Sequence, residues 1–386
     1  MVLPHINKAN IKGKRILLRL DLNVPLKEGR ISNASRLERA LPTVKMLRKR
    51  GAMVTICTHL GRPKGKKHSD LSLSLLLEPI ANFLGEPVTF TAGNLNETTP
   101  LRLRENLRFD PREEADDISF AKELAQGHDL YVNDAFSCAH RAHASTHGIA
   151  KLLPAYAGPL MHKEIDTLHH TVGQGKHPIV ALVGGAKVSS KLLVLQNLAL
   201  KVDHLIVGGG MANTFLAARG QNVGISLCEW DLLDEARQII LHAQKNNCQI
   251  VLPTDAQISP TPDEPQKAEI VNLENMPKDQ MILDIGPESS AQISLLIESA
   301  KTLLWNGPLG LFEIPPFDRS TVALAKLAAN RAKSGALNAV AGGGDTIAAL
   351  SHAGVLDDFT YVSTAGGAFL EWLEGKTLPG IAVLEN

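Results

Sequence analysis

The sequence predicts an α/β chain of two domains, each a parallel β-sheet flanked by helices, joined by a hinge. Three observations carry that expectation. Short β-rich runs that close in Gly, Asp or Asn alternate with helical stretches along the whole chain, a pattern that specifies parallel sheets covered by helices on both faces. The 386 residues are long enough for two or three separate cores. The charge also divides: residues 1–170 hold 25 Lys/Arg and 18 Asp/Glu (+7), and residues 171–386 hold 15 and 22 (−7), although the totals of 40 and 40 cancel.

Taken in order, the predicted strands are 15-RILLRLDL-22, 53-MVTICTHL-60, 129-DLYVNDAF-136, 179-IVALVGG-185 and 204-HLIVGGG-210, then 249-QIVLPTD-255, 281-MILDIG-286, 302-TLLWNG-307, 338-NAVAGGG-344 and 361-YVSTAGG-367. After Ser32 and Asn33, Leu37, Leu41, Val44 and Leu47 recur at threes and fours and Gly51 ends the run, so a helix with Arg36 in its first turn is expected. Segment 158-GPLMHKEIDTLHHTVGQGKHP-178 reads as a helix followed by a breaker. It sets the expected boundary between a first domain at 1–170 and a second at 171–374. The tail, 375–386, is expected to return to the first domain. Rossmann-like architecture of this kind places ligands beyond the carboxyl ends of the strands.

Composition narrows the functional classes. At 44 % hydrophobic and 21 % charged the chain is neither disordered nor membranous, and no apolar run is long enough to span a bilayer. Residues 1–20 hold no signal-peptide core, and Cys57, Cys138, Cys228 and Cys248 form no CxxC pair. A cytoplasmic chain with free thiols is expected. A basic half invites anions, but aromatics at 4 % supply few stacking platforms, so a small, highly charged metabolite fits better than nucleic acid.

The residues able to do chemistry gather at strand ends. In the first half they are Asp21, Asn23, Arg36, His59, Arg62, Arg108 and Arg141. The planar fork of arginine suits carboxylate and phosphate, so four converging arginines would form a polyanion cradle. In 184-GGAKVSSK-191, Lys187 and Lys191 stand four apart, hence on one face of a helix start, with Val188, Leu192, Leu195 and Ala199 buried. That segment suits phosphate, or else a glycine-packed junction with solvent-facing lysines. The glycines of 342-GGGDT-346 and 366-GG-367 offer amide nests, with Asp345 able to meet a metal. In 305-WNGPLGLFE-313, Glu313 suits a ribose hydroxyl, unless the run is only a Pro/Gly turn. No GxxxxGK[ST], HRD, DFG or helix-opening GxGxxG is present.

Nine segments occur in the order of one family and cover nearly the whole chain: 21-DLNVP-25, 59-HLGRP-63, 105-ENLRF-109, 139-AHRAHAST-146, 184-GGAKVSSK-191, 208-GGGMANTF-215, 305-WNGPLG-310, 342-GGGDT-346 and 364-TAGGAFLE-371. The chain resembles phosphoglycerate kinase. The resemblance implies a triose-acid site at Asp21, Asn23, Arg36, His59, Leu60, Gly61, Arg62, Arg108 and Arg141. It implies a nucleotide site at Lys191, Gly208, Gly209, Asn306, Pro308, Glu313, Gly343, Gly344, Asp345 and Thr346, with Asp345 on the Mg²⁺ that ATP or ADP carries. Arg36, Lys187, Gly344 and Gly367 would surround the migrating phosphoryl group.

The implied reaction moves the acyl phosphate of 1,3-bisphosphoglycerate to ADP, a step of glycolysis and gluconeogenesis. A monomer that closes its two domains about the 158–178 region is expected, with no nucleic-acid or membrane partner. A nicotinamide-dependent dehydrogenase and a non-catalytic polyanion-binding protein share part of the pattern. The sequence departs from the family at Ser137-Cys138, where Gly-Thr is usual, and at Ala365, where the first of three glycines is usual.

Overall fold

The computed structural model describes residues 3–91 and 99–385. The chain divides into two compact units: Met1–Asp166 with Thr377–Asn386, and Thr167–Lys376. The division falls inside a helix.

In the first unit β1 (Arg15–Arg19) is followed by a short antiparallel hairpin, β2 (Leu26–Lys27) and β3 (Arg30–Ile31), then by β4 (Met53–Cys57), β5 (Thr89–Thr91), β6 (Leu101–Arg104), β7 (Leu130–Asn133) and β8 (Ala155–Ala157). Its main sheet has the order β5-β6-β4-β1-β7-β8, and every pairing in it is parallel. Helices α1 (Ser35–Lys49), α2 (Leu77–Leu84), α3 (Pro111–Glu114), α4 (Ile118–Ala125) and α5 (Pro159–Leu168) connect the strands. Helix α1 is the one the periodicity predicts. The Asn33 side chain accepts from the Ser35 amide at 2.9 Å at its start, and Leu37, Leu41, Val44 and Leu47 are buried. Each of those side chains contributes about 1.5–3 kcal/mol by leaving water. Gly51, with φ 83°, turns the chain back toward β4.

In the second unit the strands are β9 (Ile179–Val183), β10 (His204–Val207), β11 (Gln249–Val251), β12 (Asp255–Ser259), β13 (Glu269–Asn272), β14 (Met281–Ile285), β15 (Thr302–Asn306), β16 (Asn338–Gly342) and β17 (Tyr361–Ser363). Six of them form a parallel sheet of order β11-β10-β9-β15-β16-β17. The helices are α6 (Leu192–Leu198), α7 (Gly210–Ala218), α8 (Leu233–Lys245), α9 (Pro287–Ser299), α10 (Arg319–Lys333), α11 (Gly344–His352) and α12 (Gly366–Leu373). A last turn, α13 (Pro379–Ala382), belongs to the first unit.

Three sequence expectations need correction. Segment 281–286 does not join a parallel sheet: β14 pairs antiparallel with β12, which pairs antiparallel with β13. The predicted strands are also too long, because their Gly- and Asp-containing ends leave the sheet and open loops or helices. Lys187 and Lys191 do not share a helical face. A single 3-10 turn, Val188–Ser190, lies between them, fastened by the Ser190 hydroxyl donating to the Lys187 carbonyl at 2.7 Å, and α6 begins only after Lys191. Leu192 is accordingly half-buried, and Val194 and Leu198 join Leu195 in the core.

Among the described residues no helix is long and apolar enough to cross a membrane. The four cysteines are free thiols.

Candidate active site

In the first unit the loops after β1, β4, β6 and β7 are tied into one hydrogen-bonded chain. The Asp21 carboxylate accepts from Arg36 Nη1 at 2.7 Å, from the Ser137 hydroxyl, and from the Asn23 amide at 3.0 Å. The Asn23 side chain accepts from the Gly61 amide at 2.8 Å, and Arg108 Nη1 donates to the Gly61 carbonyl at 2.9 Å. Arg108 Nε lies 3.4 Å from Glu114. Gly61 has φ 64°, and a Cβ there would stand 2.8 Å from the Leu71 side chain, so both conformation and space call for glycine. Leu60 is buried, and Asn106 grips its backbone from both sides, accepting from its amide at 3.3 Å and donating to its carbonyl at 2.8 Å. The structure thus unites Asp21, Asn23, Arg36, Gly61 and Arg108. Arg62 and Arg141 are exposed, and Arg141 Nε donates only to its neighbour His140, at 3.2 Å.

His59 lies beneath this chain, 4 % exposed, with Nδ1 3.1 Å from Arg19 Nη2. A guanidinium can only donate, so Nδ1 accepts and the ring proton sits on Nε2. Burial, reinforced by the Arg19 charge, holds the imidazole well below its ordinary pKa. His59 therefore faces the site as a neutral hydrogen-bonding group, not as a cation. For Asp21, burial works upward, and the Arg36 guanidinium and the bonds from Ser137 and Asn23 overcome it, so the carboxyl stays below its usual range.

Sequence reasoning missed the layer that supports this site. Arg19, fully buried, donates from Nε to the Ser145 hydroxyl at 2.9 Å, and that hydroxyl donates to Glu113 at 2.5 Å. The Glu113 carboxylate, also fully buried, accepts the Ser145 amide at 3.0 Å. A charge inside the strand run 15–19 was the available signal. Its counterion lies far off along the chain, where no spacing could reveal it.

In the second unit the loops after β9, β10, β15 and β16 meet. Their backbones touch: a Cβ on Gly184 would stand 1.8 Å from the Pro308 carbonyl, and one on Gly209 (φ 65°) 2.7 Å from that of Gly185. A cavity of about 260 Å³ opens there, lined by Gly185, Gly209, Leu309, Phe312, Glu313 and Asp345 among others. Pro308 also lines it. Gly208 is packed against Leu309, where a Cβ would meet Cδ2 at 2.3 Å. Helices α7 and α11 start at this end of the sheet from Gly209 and Gly343, both at positive φ, which brings their positive dipole ends there, although at α7 the Gly209 and Met211 amides are spent on the Leu309 and Gly185 carbonyls at 2.8 and 3.0 Å.

Lys191 Nζ donates to the carbonyls of Gly184 at 2.6 Å and Asn306 at 3.2 Å. Burial pushes its pKa down to about 8, against the pull of Asp345. Asn306 and Thr346 are interior tethers: Asn306 Nδ2 donates to the Gly342 carbonyl at 2.6 Å, while the Thr346 hydroxyl accepts the Gly307 amide at 2.7 Å and donates to Gly342 at 2.8 Å. The Asn306 amide oxygen is buried without a partner. Lys187, Gly344, Asp345 and Gly367 are exposed. Ala365 has φ −85°, ordinary for any residue, whereas Gly366 has φ 38°. The departure at Ala365 is therefore harmless, and the strained position keeps its glycine.

The chain is similar in sequence and in fold to known proteins. The family described as "Phosphoglycerate kinase" matches residues 6–376. The phosphoglycerate kinase of Allorhizobium ampelinum is 53 % identical over 387 residues, covering 97 % of this chain and 96 % of the relative. That of Caulobacter vibrioides is 50 % identical over the full length of both. Among solved structures, the phosphoglycerate kinase from Coxiella burnetii superposes with a TM-score of 0.94 at 41 % identity, covering 100 % of this chain and 99 % of that one. The enzyme from Pyrococcus horikoshii gives 0.81 at 28 %, covering 99 % and 98 %.

Proposed function

The chain belongs to the phosphoglycerate kinase family, and from that premise we propose how its residues divide the work. It is a phosphotransferase whose acceptor is a carboxyl group, exchanging the acyl phosphate between 1,3-bisphosphoglycerate and ADP to give 3-phosphoglycerate and ATP. These relatives do not favour the dehydrogenase or the non-catalytic reading.

Three assignments follow. The bonded chain Arg36–Asp21–Asn23–Gly61–Arg108 binds the triose acid, with Leu60 and neutral His59 shaping its floor and exposed Arg62 and Arg141 supplying further positive charge. The cavity beside Gly209, Pro308 and Glu313 takes the nucleoside of ADP or ATP, and Lys191 with the amides of Gly343 and Gly344 takes its phosphates. Arg36, Lys187 and the amides of Gly344 and Gly367 stabilise the phosphoryl group in transit. The single observation behind the acid assignment is that four residues from three separate loops and Arg36 from the start of α1 hold one another in register before any ligand arrives.

The chemistry asks little more of the protein. In the direction of ATP use the nucleophile is a carboxylate, already ionised at neutral pH, so no general base is needed. What remains is positioning and charge stabilisation of a metaphosphate-like transition state. Among the described residues no three His, Cys, Asp or Glu side chains cluster as a metal cage, and Asp345 is an exposed carboxylate on the cavity lining. One carboxylate suits a magnesium ion that keeps its waters and bonds mainly to nucleotide phosphates. Asp345 would hold that ion, which when bound supplies charge neutralisation of the phosphates. Transfer between ligands requires reacting atoms about 3–3.5 Å apart, which we assign to closure of the molecule on both ligands together. A monomeric, cytoplasmic enzyme accords with this reading.

A coupled assay with ATP, Mg²⁺ and 3-phosphoglycerate tests the function and the role of Lys187 together. Wild type should turn over, and Lys187→Ala should lose about 10²–10³-fold in kcat. An inactive wild type would refute the enzyme assignment, and a fully active Lys187→Ala the role of the lysine.

A further inference from the structure

We propose that Ser137, one of the three residues that depart from the family pattern, is a positioning residue for phosphoryl transfer: its hydroxyl holds the Asp21 carboxylate in place while Arg36 changes partners. This rests on the assignment of Arg36 to the migrating phosphoryl group.

The geometry begins with the turn that carries the hydroxyl. Ser137 is the middle residue of a 3-10 turn, Phe136–Cys138, whose flanking side chains are both buried. The turn is closed by the Cys138 amide donating to Ala135 at 3.0 Å and the Ala139 amide donating to Phe136 at 2.9 Å. On its far side the Gly380 amide donates to the Ala139 carbonyl at 2.9 Å. The serine backbone is thus braced from within and from the carboxyl-terminal segment, and its hydroxyl reaches Asp21 from a rigid base. Glycine at this position could keep the turn but would supply no donor.

At Asp21 two donors share one oxygen. Oδ2 accepts from both Ser137 and Arg36 Nη1, while Oδ1 accepts from the Asn23 amide. Arg36 has five N–H groups and spends one of them here. If Asp21 relied on Arg36 alone at Oδ2, moving the guanidinium toward a phosphoryl group would leave a largely buried carboxylate oxygen with no donor, and such an orphan is costly. With Ser137 present, Oδ2 keeps a partner and the carboxylate keeps its rotamer. Asn23, anchored by the same carboxylate, stays in register with Gly61 and Arg108. Ser137 therefore lowers the cost of the Arg36 movement without touching either substrate.

The test is steady-state kinetics of Ser137→Ala and Ser137→Thr in the full-length chain, with thermal melts of each. Ser137→Ala should lose about three- to ten-fold in kcat, with the KM values for 3-phosphoglycerate and ATP changing less than two-fold and Tm within two or so degrees of wild type. Ser137→Thr, which restores the hydroxyl, should recover at least half of the wild-type kcat. Unchanged kcat in Ser137→Ala would overturn the proposal. So would a threonine variant as slow as the alanine one, or a loss that appears chiefly in KM and Tm. The parent assignment fails in a different way: Arg36→Ala would then keep wild-type kcat, whatever Ser137 does.

Discussion

Lys191 offers a test in which protons, not products, are counted. Its ammonium is held on two backbone carbonyls in a buried setting, and its pKa falls from 10.5 to about 8. In the unliganded protein at pH 8 the amine is therefore about half protonated, and at pH 9 about one-tenth. Nucleotide phosphates beside it would favour the charged form and return the pKa toward its ordinary value. Binding should then take up about 0.1 proton at pH 7, about 0.5 at pH 8 and about 0.9 at pH 9. Because a proton is taken up, affinity must fall as pH rises, by about ten-fold between pH 7 and pH 9. Isothermal titration of ADP into the protein, in two buffers of different ionisation enthalpy, reads the uptake directly. Lys191→Met should weaken binding by about 1.5–3 kcal/mol, the worth of one charge-assisted contact, and abolish the rise in uptake between pH 7 and 9. Proton uptake that stays flat over that range in wild type, or rises equally in Lys191→Met, would refute the reasoning.

Three further outcomes are expected. Arg19→Met strands Glu113 in the interior without its cationic partner and should cost about 3–5 kcal/mol in urea unfolding; a loss below about 1 kcal/mol would mean that the Arg19–Ser145–Glu113 bridge carries little. The two units should answer acid with opposite signs. In the first, burial lowers His128 and His143 to about 4, so the unfolded chain takes up protons first and roughly 2–3 kcal/mol per histidine is lost as pH falls from 6.5 to 4, partly offset by Asp134, which burial raises to about 6. In the second, burial raises Asp284 to about 7, so the folded form takes up its proton first and stability grows as pH falls from 7 toward 4. Trp230, Trp305 and Trp372 all lie in the second unit, so tryptophan fluorescence follows that unit alone, and melts at pH 7 and 5 by fluorescence and by far-ultraviolet circular dichroism should separate; shifts of the same sign in both signals would count against it. Finally, Gly366→Ala, forced to φ 38°, should destabilise by about 1 kcal/mol or more, whereas Ala365→Gly should leave kcat unaltered; equal effects would show that the turn does not depend on its left-handed residue.

Much of this was legible in the sequence, and the failures have physical causes. All six parallel strands of the second unit and β1, β4 and β7 of the first are apolar runs with polar punctuation and could be read, whereas β5, β6 and β8 (TFT, LRLR and AYA) could not, being short or interrupted by arginine. Strand β14 carries the same signature, MILDI, but its partner β12 and the next strand β13 are polar short runs, DAQIS and EIVN, whose pairing depends on contacts and not on local pattern. The four-residue spacing of Lys187 and Lys191 implied one helical face only if the intervening residues were α-helical. Two serines stand there, and Ser190 closes a tighter turn on the Lys187 carbonyl. His59 was recognisable as a strand-end residue but not as neutral, because that follows from Arg19, which faces it from a neighbouring strand. Asn306 and Thr346 were read as ligands from the motif alone; that Asn306 Nδ2 and the Thr346 hydroxyl also fasten the ends of β15 and β16 together follows from contacts no motif reveals.

The carboxyl-terminal segment carries a consequence for biosynthesis. Gly380 donates to Ala139 and accepts from Asn133 at 3.3 Å, so the turn bearing Ser137 and Arg141 waits for a piece of chain made after the whole of residues 167–376. At ribosomal speeds of about 5–20 residues per second, that delay is on the order of ten to forty seconds. The acid half therefore receives its final brace only after the nucleotide half has been synthesised.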